Sequence, residues 1–248
     1  MANLNRDLTA QRWNTEYRQG RYVDEPPLPF VDTILTTLDQ HPLCRQGTGL
    51  YIGCGNGRNY LPLVNTGLDL IGLDLSAESL RQLAERRPTS AERLICSDLR
   101  DYTPQALFSY IVAIQVFQHG TEADVNAYFA KAAALLRPSG LFFLRVNAAS
   151  TQIYHAHRIL ERNAYGGMTI CYESGPKQDL PIHFYSRDEL ASLTAKAFTP
   201  VTVLQENITA RTAPKTGFWA QWEGVWQRRG DIVEPVEDRH RSCSKDSA

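Results

Sequence analysis

The sequence lacks both a long apolar run and an excess of charge of either sign. Nowhere do about 18 apolar residues follow one another, as a membrane-spanning helix requires, and the N-terminal stretch MANLNRDLTAQRW has no apolar segment of the signal-peptide type. The 26 Lys and Arg residues against 27 Asp and Glu residues leave no basic excess that would attract nucleic acid or a membrane surface. These absences predict a cytoplasmic protein without a membrane partner. They argue against a nucleic-acid partner and leave the oligomeric state open.

Paired cysteine motifs are also missing. The five cysteines form an odd set without a Cys-x-x-Cys pair: Cys44, Cys54, Cys96, Cys171 and Cys243. Such a set indicates reduced thiols. His155 and His157 have neither the spacing of metal ligands on a helix nor a nearby cysteine pair, so we expect no metal ion.

Short apolar runs alternate with amphipathic stretches from residue 48 onward. The runs are GLYIG, LDLIGLDLS, RLICSDL, YIVAIQVF and GLFFLRVNA. Between them, SAESLRQLAERR begins with the helix-capping Ser76 and TEADVNAYFAKAAALLRPSG begins with Thr121. This alternation predicts a mostly parallel sheet covered by crossover helices. The last two strand candidates, PVTVLQENITA and GFWAQWEGVWQRR, flank the turn-like RTAPKTG and predict an antiparallel hairpin at the sheet edge.

Three segments lie outside this alternation and define the predicted domain organisation. Residues 1–45 predict a helical cover of two helices, in which we expect Trp13 and Tyr17 to pack on the core. Residues 148–183, within a main domain over residues 46–229, hold tyrosines and histidines among glycines and predict a variable substrate cover. Ligands of open α/β sheets bind at the carboxyl ends of the strands, where both segments can cover them. Residues 230–248 are charged and lack apolar periodicity, which predicts a disordered tail.

The stretch GLYIGCGNGRNY places Gly53, Gly55 and Gly57 directly after an apolar run. It predicts a strand that ends in a loop whose backbone a ligand can approach closely. Arg58 stands where a dinucleotide-binding fingerprint needs a third glycine or alanine, and no Gly-Lys-Ser/Thr follows for a phosphate-binding P-loop. The loop therefore favours a ligand with little phosphate character.

Asp74 and Asp98 end the next two predicted strands, in LIGLDLS and LICSDLRDY. A carboxylate at a strand end beside a glycine loop is well placed to accept hydrogen bonds from ribose hydroxyls. Each also has a structural interpretation. Asp74 precedes Ser76 as at a helix start, and Asp98 is either solvated or replaced in its contact by Asp101. The pair suits an adenosine with a cationic, amino-acid-like tail.

With these motifs the sequence resembles the class I S-adenosylmethionine-dependent methyltransferases. The resemblance runs through LYIGCGNGRN, LIGLDLSAESL, LICSDLRDY, YIVAIQVFQHG and LLRPSGLFFLRVN, in the order and at the spacing of that family. It implies a Rossmann-like α/β fold with a seven-stranded, mostly parallel sheet, helices on both faces and a terminal antiparallel hairpin. It also implies S-adenosyl-L-methionine as cofactor. The stretches LPIHFYSRDELASL and WAQWEGVWQRR resemble the bacterial small-molecule and tellurite-resistance-type branch.

The resemblance also implies which residues contact the cofactor. The glycine loop lies beside the methionine part, Asp74 binds the ribose, Asp98 and Leu99 lie at the adenine, and Gln115 lines the cofactor after the fourth strand. The implied cofactor-binding set is Gly53, Cys54, Gly55, Gly57, Asp74, Leu75, Asp98, Leu99 and Gln115.

Tyr51 departs from the family pattern, which has Asp or Glu at this position to help hold the cofactor's ammonium group. A phenol accepts a hydrogen bond but brings no charge. Either the cofactor binds more weakly, or another acceptor from the N-terminal segment holds it, or methyl transfer has been lost or changed.

His119 follows the fourth strand in AIQVFQHG, where the resemblance places residues on the substrate side. An imidazole with an ordinary pKa suits a catalytic general base that takes a proton from an attacking hydroxyl or amine. The alternative is a histidine that bonds to the backbone or closes the pocket. Because orientation supplies much of the rate of an in-line displacement, a neutral amine or a thiolate needs no base.

Four residues are candidates for contact with the methyl acceptor: Tyr22, Arg145, Tyr154 and His155. Tyr22 belongs to an aromatic wall whose electron-rich faces stabilise a cation. Arg145, near the end of the fifth strand, either binds an acidic substrate group or forms an ion pair. The stretch IYHAHR, which holds the other two candidates, either lines the acceptor pocket or begins an exposed helix.

The sequence thus predicts an enzyme that transfers a methyl group from S-adenosylmethionine to an O, N or S atom of a small molecule. Two alternatives stay open. Tyr51 favours a non-catalytic or repurposed protein that binds S-adenosylmethionine or its demethylated product. The GCGNG stretch favours an RNA methyltransferase, but the chain has no basic excess and no appended RNA domain.

Overall fold

The structure is a computed structural model and describes residues 2–230, with side chains from residue 7 onward. The helices are α1 (Ala2–Arg18), α2 (Phe30–Gln40), α3 (Pro42–Arg45), α4 (Tyr60–Asn65), α5 (Ala77–Arg86), α6 (Glu122–Leu135) and α7 (Arg187–Ala195), with a 3-10 helix at Pro88–Arg93. The strands are β1 (Gly49–Ile52), β2 (Leu70–Asp74), β3 (Leu94–Cys96), β4 (Phe108–Ile114), β5 (Leu136–Asn147), β6 (His157–Arg162), β7 (Met168–Tyr172), β8 (Pro181–Phe184), β9 (Phe198–Pro200), β10 (Gln205–Ala210) and β11 (Phe218–Arg228). Of the tail predicted over residues 230–248, all but Gly230 lies outside the described residues.

The larger sheet confirms the predicted Rossmann-like fold. Its strand order is β10–β11–β5–β4–β1–β2–β3. The centre is parallel: β1 lies between β2 and β4, with Ile52 opposite Leu73 and Ala113. At the other edge β11 runs antiparallel to β5 and forms the predicted hairpin with β10. The short strand β9, which also pairs with β11, is an eighth strand that the sequence analysis did not predict.

Helices cover both faces of this sheet, as expected for parallel strands with apolar side chains on both sides. One apolar cluster joins strand residues such as Ile111 and Phe142 to Phe129 of α6 and Leu190 of α7. The other joins the opposite face to α2, α4 and α5. The carboxyl ends of the parallel strands are left between these layers.

The ends of two helices follow directly from sequence signals. Ser76 caps α5 by accepting a hydrogen bond from the backbone N–H of Ser79. Thr121 and Asp124 form a capping box at the start of α6, in which each side chain accepts from the other residue's backbone N–H. These caps fix where the chain leaves β2 and β4, and therefore the loops above the sheet.

Residues 148–183, for which the sequence predicts a variable substrate cover, hold most of a second sheet. Strands β6, β7 and β8 make a separate three-stranded antiparallel sheet. IYHAHR leads into β6 and is not a helix start. The reason is tertiary: Ile170, Ile182 and Phe184 form a small apolar cluster against Leu8 of α1. The domain boundaries at residues 45, 148 and 183 remain predictions.

None of the helices within residues 2–230 has both the length and the apolar character needed to span a membrane. In the same part of the chain, no group of three or more His, Cys, Asp or Glu side chains is arranged to hold a metal ion. Cys44, Cys54, Cys96 and Cys171 are free thiols, whereas Cys243 lies outside the described residues.

Candidate functional site

A cavity of about 510 Å³ opens above the carboxyl ends of β1, β2, β3 and β4. It lies at the position where open α/β sheets bind their ligands. The structure brings ten of the predicted site residues to its wall: Tyr22, Gly53, Cys54, Gly55, Asp74, Leu75, Asp98, Leu99, Gln115 and His119. Motifs far apart in the sequence therefore meet at one site, although their predicted roles remain predictions.

The glycine loop follows β1 and needs glycine at Gly55 for two reasons. Its φ is +55°, in the left-handed region that residues with a Cβ rarely adopt. A Cβ at this position would also lie 2.4 Å from the hydroxyl oxygen of Tyr17. Backbone conformation and close approach thus both require glycine here.

Gly57 does not line the cavity, and its predicted place beside the cofactor remains a prediction. A Cβ on Gly57 would lie 2.5 Å from Leu83 of α5 and 2.8 Å from Leu61 of α4. With a φ of +96°, the residue lets the loop pack closely against these two helices. Gly57 therefore affects the cavity indirectly, through the packing of the loop on α4 and α5.

Asp74 at the end of β2 holds the glycine loop as well as lining the cavity. Its Oδ2 accepts a hydrogen bond from the Gly55 N–H at 2.8 Å, and its Oδ1 accepts from the Ser76 N–H at 2.8 Å. Burial raises the pKa of Asp74, and these backbone donors oppose the shift. Each carboxylate oxygen has a second lone pair, so the group retains capacity to accept from a ligand hydroxyl.

Asp98, which follows β3, is tied to Arg100. The Arg100 side chain donates from Nε to Oδ1 at 2.9 Å and from Nη2 to Oδ2 at 2.5 Å, and its Nη1 pairs with Asp124. Both carboxylate oxygens of Asp98 therefore accept hydrogen bonds from Arg100, and the side chain is not solvated. Sequence reasoning missed Arg100 and Asp124, which line the same end of the cavity.

The segment after β4 carries Gln115 and His119 and is held from both sides. Gln115 has a φ of +58°, unusual for a residue with a side chain, and its N–H donates to the Arg145 carbonyl at 2.7 Å. The second sheet holds the rest of the segment: His183 donates its N–H to the Gln118 carbonyl at 2.8 Å, and Gly120 donates to the Pro181 carbonyl at 3.0 Å. The small sheet thus fixes the backbone on either side of His119.

His119 lies edge-on to Trp13, with ring centroids 5.4 Å apart and an interplanar angle of 90°. Its Nδ1 is buried and has no hydrogen-bond partner among the described residues. Burial, together with the nearby Lys177 ammonium, lowers the pKa of His119 to about 3. The imidazole is neutral at physiological pH and is a weak base.

Three aromatic side chains of the N-terminal cover line the cavity: Trp13, Tyr17 and Tyr22. Tyr17 is buried as expected for a residue that packs on the core, and both Trp13 and Tyr17 also line the cavity, which the packing interpretation did not predict. Their spacing of four residues, which places them on one face of α1, was the available signal. Asn14 fastens this helix to the main domain, because its Oδ1 accepts from the Ser76 hydroxyl at 2.8 Å and from the Glu78 N–H at 3.1 Å.

Three predicted substrate residues do not line the cavity. Arg145 pairs with Glu223 of β11 at 2.5 Å, which is the ion-pair alternative stated above. Tyr154 is 45% exposed and its ring contacts Arg211, while the His155 ring packs against Tyr154. The second sheet places the latter two on its outside, which the sequence did not indicate.

Tyr51 lines the cavity from β1 and is only 2% exposed. Its ring contacts Tyr60 edge-on with centroids 6.0 Å apart. Burial raises the pKa of its hydroxyl, which stays protonated, while the Asn59 side chain and the Arg58 charge oppose the shift. The position that the family gives to an acid is thus occupied by a neutral group beside a cation.

Comparisons with known proteins agree with this geometry. Residues 50–140 match the family described as "Methyltransferase domain". A ubiquinone biosynthesis O-methyltransferase of Rhodopseudomonas palustris (strain BisA53) is 33% identical over 151 residues, which are 54% of this chain and 56% of the relative. Another such enzyme from the same species (strain BisB18) matches over only 35% of its length. The chain thus spans between about a third and just over half of these relatives.

Solved structures share the fold over most of the chain. The 1,6-didemethyltoxoflavin-N1-methyltransferase of Burkholderia thailandensis superimposes with a TM-score of 0.60 at 22% identity, over 92% of this chain and 88% of that one. Its structure contains 1,6-didemethyltoxoflavin and S-adenosylhomocysteine. A methyltransferase from Clostridium acetobutylicum superimposes with a TM-score of 0.61 at 15% identity, over 86% of this chain and 96% of that one.

Proposed function

We propose that this chain, whose residues 50–140 match the family described as "Methyltransferase domain", transfers a methyl group from S-adenosylmethionine to a small molecule. One observation carries the proposal: a single cavity collects the glycine loop, Asp74, the Asp98–Leu99 pair and Gln115 along the carboxyl edge of the sheet. The order of these groups matches an extended ligand that runs from an amino-acid tail through a ribose to an adenine. In-line transfer from a sulfonium requires the donor and acceptor to be oriented, which a walled cavity provides.

The acceptor binds in the part of the cavity between the N-terminal cover and the segment after β4. Thr9, Trp13, His119 and Pro181 form this wall. Since His119 is neutral, none of these four side chains carries a charge at physiological pH. We expect an uncharged acceptor with a flat, apolar face that lies against Trp13 and presents an O, N or S nucleophile.

His119 orients this acceptor more readily than it deprotonates it. A base with a pKa of about 3 binds a proton too weakly to activate an alcohol at neutral pH. Its neutral ring still offers a hydrogen bond to an acceptor hydroxyl or N–H. One similar protein is named as an O-methyltransferase and another as an N1-methyltransferase, so experiment must decide which atom of the acceptor receives the methyl group. We also propose that the chain is a member of the bacterial small-molecule and tellurite-resistance-type branch of these methyltransferases.

Two measurements test the proposed function. Calorimetry with S-adenosylmethionine and S-adenosylhomocysteine is expected to show one site per chain. Incubation with S-adenosylmethionine and separate sets of phenol, N-heterocycle and thiol acceptors is expected to release S-adenosylhomocysteine above the acceptor-free rate for at least one set.

The same measurements address the alternative that Tyr51 favours. Stoichiometric binding of the cofactor, with no acceptor of any of the three classes raising product release, would replace the enzyme by a non-catalytic cofactor-binding protein. Absence of binding by either ligand would contradict both functions.

A further inference from the structure

A buried pair of polar side chains joins the second sheet to α7, behind the wall of the cavity. His183 of β8 is 1% exposed and Glu189 of α7 is 2% exposed, and neither lines the cavity. The His183 Nε2 and the Glu189 Oε1 lie 2.9 Å apart. On the other side of the ring, the His183 Nδ1 lies 2.9 Å from the hydroxyl oxygen of Thr169, which stands directly opposite on β7. The proposed function gives these three side chains no role.

The surroundings of Glu189 are closely fitted to its carboxyl group. Asn163, which follows β6, donates from its Nδ2 to Oε1 at 2.6 Å. Oε2 is buried without a hydrogen-bond partner among the described residues, and a Cβ on Gly167 would come within 1.9 Å of it. Apolar side chains of similar volume often stabilise a fold as well as a buried polar pair does, or better. Stability alone therefore does not account for the pair, which indicates a role in specifying the structure.

The pair and the small apolar cluster occupy opposite faces of the second sheet, because side chains alternate along a strand. Ile182 and Phe184 belong to the cluster against Leu8 of α1, whereas His183 between them faces α7. A shift of β8 by one residue would exchange the two faces and separate His183 from Glu189. The pair thus fixes the register of β8 as well as its position.

Strand β8 in turn holds the segment that follows β4. The His183 N–H donates to the Gln118 carbonyl at 2.8 Å, and the Gly120 N–H donates to the Pro181 carbonyl at 3.0 Å. His119 lies between these two bonds. A shift of β8 would break both of them and displace His119 and Pro181, which these elements contribute to the acceptor wall.

We propose that His183 and Glu189 are positioning residues for the methyl acceptor, which hold β8 in the register that keeps His119 and Pro181 in the acceptor wall. This rests on the proposed function, because it takes the acceptor to bind at that wall. The pair acts through the backbone of β8 and not by contact with the acceptor. A misplacement of about 1 Å can slow an oriented transfer about a hundredfold. Loss of the pair should therefore impair use of the acceptor and spare binding of the cofactor.

An apolar replacement separates positioning from stability. The triple variant Thr169→Val, His183→Leu, Glu189→Leu fills the site with apolar side chains and leaves none of the three polar groups unmatched. We expect it to unfold near the wild-type temperature or above it. The probe is the phenol, N-heterocycle or thiol that gives the fastest release of S-adenosylhomocysteine. Its kcat/KM should fall about tenfold or more, while the dissociation constant of S-adenosylhomocysteine should change less than about threefold.

The imidazole of His119 reports on the wall without any acceptor. Its C–H resonances in NMR spectra are identified by their absence from His119→Gln. In the wild type they should not titrate between pH 8 and pH 5, because the pKa of His119 is lowered to about 3. In the triple variant they should titrate in that range, since a loosened segment admits water. Glu189→Gln keeps an acceptor oxygen for His183 and should behave as the wild type in both assays.

Thr194→Val is the matched control. Thr194 is also buried on α7, but its hydroxyl donates to the Leu190 carbonyl of its own helix at 2.8 Å. The control should leave the acceptor kinetics and the His119 resonances unchanged. A folded triple variant with wild-type acceptor kinetics would overturn the proposal. Equal losses of acceptor use and of S-adenosylhomocysteine affinity would also overturn it, because they would show a general structural role.

Amide hydrogen exchange in the wild type tests the same junction should the triple variant not fold. The N–H groups of His183 and Gly120 should exchange about as slowly as those of the central strand β1. Exchange as fast as that of an exposed turn would contradict a held register. The proposed function fails separately: it fails if the wild type transfers a methyl group to no acceptor of the three sets. The positioning role alone fails if the wild type and the folded triple variant are equally active.

Discussion

Asp74 accepts a hydrogen bond from the backbone N–H of Gly55 at 2.8 Å, so the residue predicted to hold the ribose also holds the loop predicted to face the methionine part. The two residues are 19 positions apart in the chain; Asp74 ends β2, and Gly55 lies in the loop after the neighbouring parallel strand β1. This bond couples the shape of the glycine loop to the charge of one carboxylate. A substitution at either residue therefore changes the residue's own contact with a ligand and also the conformation of the glycine loop.

Asp74→Ala is expected to weaken S-adenosylhomocysteine binding at least tenfold. The ligand loses a charged acceptor, worth about 1.5–3 kcal/mol for a hydrogen bond to a charged group, and the loop loses its anchor. Calorimetry measures the change. Ser186→Ala is the control, because it removes a helix cap of the same kind from α7, costs about 1 kcal/mol of stability and changes no residue that lines the cavity. An unchanged dissociation constant in Asp74→Ala would contradict the ribose assignment.

Gly55→Val is expected to abolish cofactor binding in a protein that remains folded. The side chain would collide with the Tyr17 hydroxyl and occupy the cavity, and a β-branched residue resists a positive φ. Gly67→Val is the matched control, since Gly67 also has a positive φ but its Cβ would meet no atom within 4 Å. Thermal unfolding should show a loss of stability in both variants, and calorimetry a loss of binding only in Gly55→Val. Normal binding by a folded Gly55→Val protein would mean that the loop is merely a turn.

His119 is expected to make stability depend on pH in a defined direction. Its folded pKa of about 3 lies below the unfolded value of 6.5, so the unfolded chain binds the additional proton. This contribution is fully present above about pH 6.5 and is lost as the pH falls toward 3. His119→Gln should therefore lose less stability than the wild type between about pH 7.5 and pH 5, measured by thermal unfolding. Equal losses in the two proteins would contradict the lowered pKa.

The activity profile gives a second test of His119. If the residue only orients the acceptor, the pH profile of kcat/KM should have the same shape in the wild type and in His119→Gln. In particular, neither protein should show a fall below about pH 6.5 that the other lacks. Such a fall in the wild type, absent from the variant, would show that His119 acts as a general base and that the acceptor requires deprotonation.

Tyr51→Asp is expected to weaken S-adenosylhomocysteine binding about fivefold to tenfold, the scale of one charge-assisted hydrogen bond. The new carboxylate would lie at a position that is only 2% exposed and near the Asp74 charge, and it would repel the ligand's own carboxylate. Calorimetry, with thermal unfolding of the unliganded proteins, measures both effects. Tyr51→Phe is the control, since it keeps the buried ring and its contact with Tyr60 but removes the hydroxyl. Tighter binding by Tyr51→Asp would place the cofactor's ammonium beside residue 51 and contradict this expectation.

The wall of the cavity was predictable where its residues belong to local patterns. Gly53, Gly55, Asp74, Asp98 and Gln115 follow strands whose apolar runs are visible in the sequence. Parallel strands bring their carboxyl ends to one edge, so residues at strand ends meet without further information. Arg145 does not line the cavity, and its pairing could not be predicted because Glu223, 78 residues further on, lies opposite it only in the folded sheet.

The cover was less predictable, for the same reason. Trp13 and Tyr17 have the spacing of an ordinary amphipathic helix, and only the packing of α1 against α5 and the second sheet shows that they face the cavity. Residues 148–183 contain short, mixed segments whose strands form because Ile170, Ile182 and Phe184 share a small core with α1. Strand pairing of this kind is set by tertiary partners more than by intrinsic propensity.

The sequence by itself determined the parallel sheet, its hairpin edge, the capped helices and the residues at the strand ends, because hydrophobic periodicity and turn chemistry act over a few neighbouring residues. Tertiary structure alone decided which side chains complete the cavity. It brought the aromatic face of α1 over the glycine loop, paired Arg100 with Asp124, and set Arg145 near Tyr51. These contacts join residues that are distant in the chain, and their charges and burial arise only when the layers close over the sheet.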